Sequence, residues 1–213
     1  MKEGKKDMKR IIAVGSHPDD IEFGVGGILV RHIAEGDEVH ILVLSRGESG
    51  GTDTQTRSAE AAAAAHSIGA TITQGLLTDT FIGEKAAIDL IDSVLRIFPS
   101  DIAYIHSVHD THQDHRTAAY ASRVALRKVP QVYAFQAPSS TDDFRPAKFP
   151  DITGYLDEKM LLIGHHITQK DRPYLSEEYV RGHASYWGHR RGLYPYAEPL
   201  EVILDRDPVR EAG

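Results

Sequence analysis

The chain has 213 residues, 41% hydrophobic and 26% charged, which is the composition of a globular protein long enough to bury a core. Its net charge of -7 argues against the basic face that a nucleic-acid partner needs, and no apolar run approaches the ~20 residues of a membrane span. There is no cysteine, so disulfides and thiolate chemistry are excluded, and any transition-metal site must draw on the 12 histidines and the carboxylates.

In chain order, "KRIIAVGS" reads as a buried strand and residues 22–36 as a helix. "DEVHILVLS" is a second strand, and "TRSAEAAAAAHSIG" a helix closed by Gly69. "ATITQGLL" is a weaker strand, and "KAAIDLIDSVLRIF" an amphipathic helix stopped by Pro99. "DIAYIHS", "RTAAYASRVALRK" and "QVYAFQA" read as strand, helix and strand. A polar loop, "PSSTDDFRPAKFPDIT", leads to two helical patterns and a short strand, "LEVIL". This alternation predicts an α/β fold with a mostly parallel sheet flanked by helices on both faces. We expect a single domain over 1–213, its part from about 139 an elaboration of the same unit. The basic start, "MKEGKKDMKR", is followed by too short an apolar stretch for a signal peptide, so a cytoplasmic location is expected.

In open α/β sheets ligands bind beyond the carboxyl ends of the strands. His17-Pro18-Asp19-Asp20 follows the first strand, Arg46-Gly47-Glu48 the second, and "HSVHDTHQDHR" the fourth. The first and fourth strands become neighbours if the strand order reverses at the first. His17 and Asp20, three apart around a turn, can address one centre. A histidine from the fourth-strand loop then completes a His-Asp-His set with a position left for water, the layout of a catalytic zinc site. Asp19 remains free as a general base. The bland reading is that Asp19 or Asp20 caps the next helix. Capping needs one oxygen, and it leaves the histidines of two loops unexplained. Glu48 and His109 are candidate substrate contacts lining the pocket, with His109 alternatively an extra metal ligand. His32, His40 and His66 read as surface or packing residues, and Gly26 and Gly27 as permitting close helix-to-sheet contact. "GVGG" is not a dinucleotide fingerprint, and the acidic strand tip would repel a pyrophosphate.

"HPDDIEFGVGG" with "HQDHR" downstream resembles the LmbE-like (PIG-L) family of zinc-dependent N-deacetylases, and the resemblance runs on through "HHITQ" and "RG" to "YAEPLEV". It implies a Rossmann-like fold and hydrolysis of an N-acetyl group on an aminosugar. Carried over by position, it implies metal ligands His17, Asp20 and His115, the general base Asp19, and His112 as oxyanion stabiliser or acid. It further implies Asp114 as a carboxylate orienting a histidine, and His166 near the site in a motif where Thr168 replaces the usual Ser. Arg57 and Glu60 match an RxxE pair, read either as a substrate contact by Arg57 or as a helix-surface ion pair. Zinc is the expected cofactor, with iron or manganese also suited to the ligand set. The expected partner is a small N-acetylated sugar, with no nucleic acid and no membrane, and the family implies a homo-oligomer. Two other functions fit the pattern: a metallo-amidase cleaving a larger amide or thiol conjugate, and a non-catalytic sugar-binding module. The loops "SGGTDTQ" and "SSTDDFRPAKF" are expected to select the sugar.

Overall fold

A computed structural model of the protein describes residues 7–50, 53–190 and 192–206. Six strands form one sheet: β1 (Arg10–Gly15), β2 (Glu38–Ser45), β3 (Thr71–Leu77), β4 (Ile102–His106), β5 (Gln131–Phe135) and β6 (Leu200–Asp205). The spatial order is β3-β2-β1-β4-β5-β6, so the order reverses beside β1. β1 pairs in parallel with β2 (Arg10 opposite Glu38) and with β4 (Ile11 opposite Ile102). β2–β3 and β4–β5 are also parallel, and β6 alone runs antiparallel, along β5.

The apolar run of β1 is continuous because both faces of the sheet are covered. Ile11 and Ala13 join a core with Ile21, Val25, Ile28 and Leu29. Ile12 and Val14 join the opposite core with Ala87, Ile91, Ala118 and Ala121. The first layer is built on α1 (Asp20–Ala34), with α2 (Thr54–Ser67), α5 (Leu156–Gly164) and α6 (Glu177–Arg190). The second is α3 (Glu84–Ile97) and α4 (Gln113–Ala125). Among the described residues no helix is long and apolar enough to cross a membrane.

The glycines of "FGVGG" allow close approach, but the contact with the sheet is made by Gly24. A Cβ there would lie 2.4 Å from the Phe135 ring on β5. Gly26 faces Lys159 and Leu162 of α5, and Gly27 faces Ile152. α1 is also broken: Val25 has φ -140° and ψ 16°, outside helical values.

Candidate active site

The reversal of strand order beside β1 brings the loops after β1 and β4 together at the carboxyl edge of the sheet. The first loop is pinned at its start, where the Ser45 backbone N–H and hydroxyl both donate to Ser16 O at 2.9 Å. Asp19 then takes φ 99°, a left-handed conformation unfavourable for a residue with a Cβ, of the kind that concentrates at functional sites. It precedes α1 as the N-cap, yet its side chain makes no capping bond. Asp20 folds back instead, its Oδ2 accepting from Ser16 N at 3.1 Å and His17 N at 2.8 Å. The capping reading therefore fails for both carboxylates.

His17, Asp20 and His115 offer one donor atom each within 4.8 Å of one another, and could hold a metal ion. The imidazoles are oriented by their outer nitrogens, as ligating histidines commonly are. His17 Nε2 donates toward Asp79 Oδ1 (3.1 Å) and Asp114 Oδ2 (3.3 Å), which leaves Nδ1 facing Asp20 at 3.4 Å. His115 Nδ1 donates to Asp110 Oδ2 at 3.1 Å, and its Nε2 faces Asp20 Oδ1 at 3.4 Å. Two imidazole nitrogens and a carboxylate converge, which is the donor set zinc, iron or manganese accepts once the imidazoles are deprotonated. A second grouping, His17, His112 and Asp114, also lies within that distance. It fits a cation less well: the His17 nitrogen facing it is engaged by two carboxylates, and His112 Nδ1 accepts from Asp114 N at 3.2 Å.

The electrostatics follow from this packing. Burial opposes charge on both ligating histidines, yet Asp114, Asp20 and Asp79 hold His17 well above its usual range. Asp20 and Asp110 raise His115 to about 9 despite the same burial. Cation binding must displace these protons, so affinity rises with pH. Asp20 is itself kept well below the usual carboxylate range, against its burial, by His115 and His106. Asp19 goes the other way: burial, then the charge of Asp20, pushes it up to about 7. Its Oδ2 is buried without a hydrogen-bond partner, with the Arg57 guanidinium 3.8 Å away. Burial and the neighbouring His115 and His17 lower His112, so it is neutral. Because its Nδ1 accepts, its proton sits on Nε2.

His17, Asp19, Asp20, His112 and His115 line a cavity of about 370 Å³, within the range of small-molecule sites. Thr80, Ser139, Gln169, Arg172 and Tyr174 complete much of its wall. His166 is 1% exposed, with Nε2 3.2 Å from Glu22 Oε1. Burial opposes its charge, but Glu22, Asp19 and Glu60 hold it above the usual range. Arg57 borders the cavity, but its guanidinium donates to Gly47 O and Pro18 O, so it clamps two loop carbonyls. The Arg57–Glu60 surface ion pair does not form: both side chains are buried, and Glu60 accepts from Thr168 N and Oγ1. Neither Glu48 nor His109 borders the cavity. Glu48 Oε1 accepts from Asp79 N at 3.0 Å, and the His109 backbone bonds Ser107 and Thr141. Residues 51–52 of the "SGGTDTQ" loop lie outside the described residues.

The sequence assigns no role to Asp79 or Asp110, and places His106 beside the motif without a match to it. Asp79 follows β3, so the rule that directed attention to the other strand ends would have found it. Asp110 lies inside the "HDTHQDH" run. His106 ends β4, stacks on His115 at 4.1 Å, and sits 3.1 Å from Asp20 Oδ2.

The family model PIG-L, described as GlcNAc-PI de-N-acetylase, matches residues 12–126. The uncharacterized deacetylase YaiS of Escherichia coli is 31% identical, over 74% of this chain and 90% of its own length. A 4-oxalmesaconate hydratase of Pseudomonas putida is 26% identical over 73% and 72%. The diacetylchitobiose deacetylase of Thermococcus kodakarensis is 25% identical over 92% and 84%. Among solved structures, the conserved protein TT1542 of Thermus thermophilus superposes with a TM-score of 0.81 at 26% identity, covering 97% of this chain and all of the other.

Proposed function

Because the chain belongs to the PIG-L family, we propose that it is a metal-dependent hydrolase that removes the acetyl group from an N-acetylated aminosugar or its glycoside. The observation that carries this reading is Asp19: buried, held in a left-handed conformation, with a carboxylate oxygen unpartnered beside the His17–Asp20–His115 set. The diacetylchitobiose deacetylase among the relatives supports the sugar class.

A divalent cation on His17, Asp20 and His115, with zinc the first choice, would supply a Lewis acid and lower the pKa of a water to about 7. Asp19 takes the proton from water as its oxygen adds to the acetamide carbonyl. A base raised to about 7 suits that task near neutral pH. The Nε2–H of His112 donates to the carbonyl oxygen as negative charge develops there. Asp114 and Asp79 keep His17 oriented, and Asp110 does the same for His115. A proton passes to the amine nitrogen from Asp19 or His112, the C–N bond breaks, and acetate leaves. Arg172 and Tyr174 on the cavity wall suit the hydroxyl groups of a sugar.

A second reading rests on the hydratase among the relatives. The same base and cation would add water across an activated double bond of an unsaturated carboxylate. One experiment separates the two: N-acetylated sugars and unsaturated dicarboxylates are assayed for free amine plus acetate, and for hydrated product, with and without chelator. Amine release abolished by chelator supports deacetylation. Hydration alone overturns it.

A further inference from the structure

We propose that the buried Lys159–Glu198 ion pair is a positioning device for Asp20, inserted into the backbone ladder of α1 to set the first helical turn apart from the rest. The inference rests on the metal-ligand reading of Asp20, and it concerns two residues outside the cavity lining.

In an unbroken α-helix Gly27 N–H would donate to Phe23 O, and Ile28 N–H to Gly24 O. Here Gly27 N donates to Glu198 Oε1 at 2.9 Å and Ile28 N to Glu198 Oε2 at 2.8 Å. The carbonyl of Phe23 accepts from Lys159 Nζ at 2.5 Å, and the same Nζ lies 2.5 Å from Glu198 Oε1. The pair therefore caps both sides of the break at Val25. The carboxylate sits on the amide end of one segment and the ammonium on the carbonyl end of the other, each matching the local helix dipole. Insertion of a side chain into the ladder is a recognised cause of a sharp kink.

Both side chains are 1% exposed. Burying two ions gains little stability over a well-packed apolar pair, so stability alone is a weak account of them. Their position gives a better one. The segment they release, Asp20–Gly24, is little more than one turn and carries Asp20 and Glu22. Asp20 must meet Ser16 N and His17 N with Oδ2 while facing His115 with Oδ1. Glu22 must reach His166. A turn freed from the axis of Gly26–Ala34 takes the orientation these contacts require. Lys159 comes from α5 and Glu198 from the segment before β6, so the C-terminal part of the chain sets the geometry of a loop at its start. Glu198 belongs to the "YAEPLEV" stretch, for which the proposed chemistry has no other use.

The test uses the double variant Lys159→Met/Glu198→Gln, which removes both charges and leaves neither ion unpaired. Two readouts are taken on protein shown to be folded. The first is Co²⁺ affinity, with the visible spectrum of the Co²⁺-loaded protein. The second is amide hydrogen exchange at His17, whose N–H donates to Asp20, in metal-free protein, with the sheet amides of Ile12 and Leu42 as controls. We expect Co²⁺ to bind ~10–100-fold more weakly, the range for loss of a residue that orients a ligand, with a changed absorption envelope. We expect exchange at His17 to quicken about tenfold or more while the controls stay unchanged. Unchanged affinity, spectrum and exchange would overturn the proposal. If wild type binds no Co²⁺, the metal reading fails, and the exchange comparison still decides whether the pair orients Asp20. Should the double variant not fold, isosteric Glu198→Gln is read by the same two measurements.

Discussion

At the start of α1, Asp19 and Asp20 are buried beside His17, His106, His115 and the Arg57 guanidinium, and one Asp19 oxygen has no hydrogen-bond partner. A turn further on, Lys159 and Glu198 are buried more completely, and together they meet each other, two backbone amides and a carbonyl. Both regions remove carboxylates from water, which is costly unless the charge is paired and bonded. In the second region the chain itself meets that requirement. In the first it meets it for Asp20 and withholds it from Asp19, whose pKa rises accordingly. A saturated carboxylate holds structure, while an unsaturated one keeps capacity for a ligand or a proton.

The contrast breaks most visibly at its unsaturated end. Asp19→Asn removes the proton acceptor while leaving the donor set intact, so kcat should fall by ~10²–10⁴-fold with the cation still bound. Asp20→Asn should lose the cation itself. For wild type the rate should rise with pH as Asp19 ionises. In the metal-free protein Asp19 sits at about 7. The charge of a bound cation favours the carboxylate and brings that limb below about 7. Asp19→Asn should lose the limb. Metal content and pH–rate profiles of both variants decide the matter. Loss of metal in Asp19→Asn with retention in Asp20→Asn would reverse the two roles.

The first region was far more legible in the sequence than the second. The two loops and the pairing of His17 with Asp20 follow from local patterns, because both residues lie within a few positions of the end of β1. The reversal of strand order enters as a condition, and the choice of His115, nine residues beyond β4, comes from the family resemblance. Partner choice does not follow. Arg57 reads as a substrate contact or an ion pair from its match to an RxxE pair, whereas its partners are the carbonyls of Gly47 and Pro18, which carry no sequence signal. Glu48 reads as a substrate contact from its place after β2, and its Oε1 instead accepts from Asp79 N. The break in α1 is the extreme case. Its cause lies 136 residues away at Lys159 and 171 away at Glu198, while local periodicity writes an uninterrupted helix.

A smaller effect is expected on the saturated side. His183 packs on Phe23, and its Nε2 lies 2.9 Å from Gln136 Oε1 and 3.1 Å from the Trp187 indole nitrogen. Burial, and then the nearby charge of Lys159, lowers it to about 3. The unfolded chain protonates near 6.5, so between about 6.5 and 3 the unfolded state binds the extra proton. Stability from this residue is complete above about 6.5 and is lost as pH falls. At pH 5 the loss amounts to about 2 kcal/mol. Other groups also weaken the fold in acid, so the informative quantity is a difference. His183→Gln should reduce the stability change between pH 7 and pH 5 by about that amount in denaturant titrations. Equal changes in both proteins would mean that His183 titrates normally despite its burial.

The mildest change sharpens the comparison at a contact that joins α2 to the cavity wall. Thr168 donates to Glu60 twice, from N at 2.9 Å and from Oγ1 at 2.6 Å, so both oxygens of this buried carboxylate are satisfied. Gln169, the next residue, borders the cavity. Thr168→Val keeps the shape and the backbone donor but strips one oxygen of its partner. A hydrogen bond to a charged group is worth ~1.5–3 kcal/mol, and the remaining amide bond places the expected loss near the lower end, about 1.5 kcal/mol. Thr168→Ser keeps the hydroxyl and should stay within ~0.5 kcal/mol of wild type. Denaturant midpoints at unchanged slope measure both. If Val is as stable as Ser, Glu60 has a second partner and the hydroxyl is dispensable. If Val is destabilised and also raises KM, the Glu60 tie is what holds Gln169 in the cavity wall.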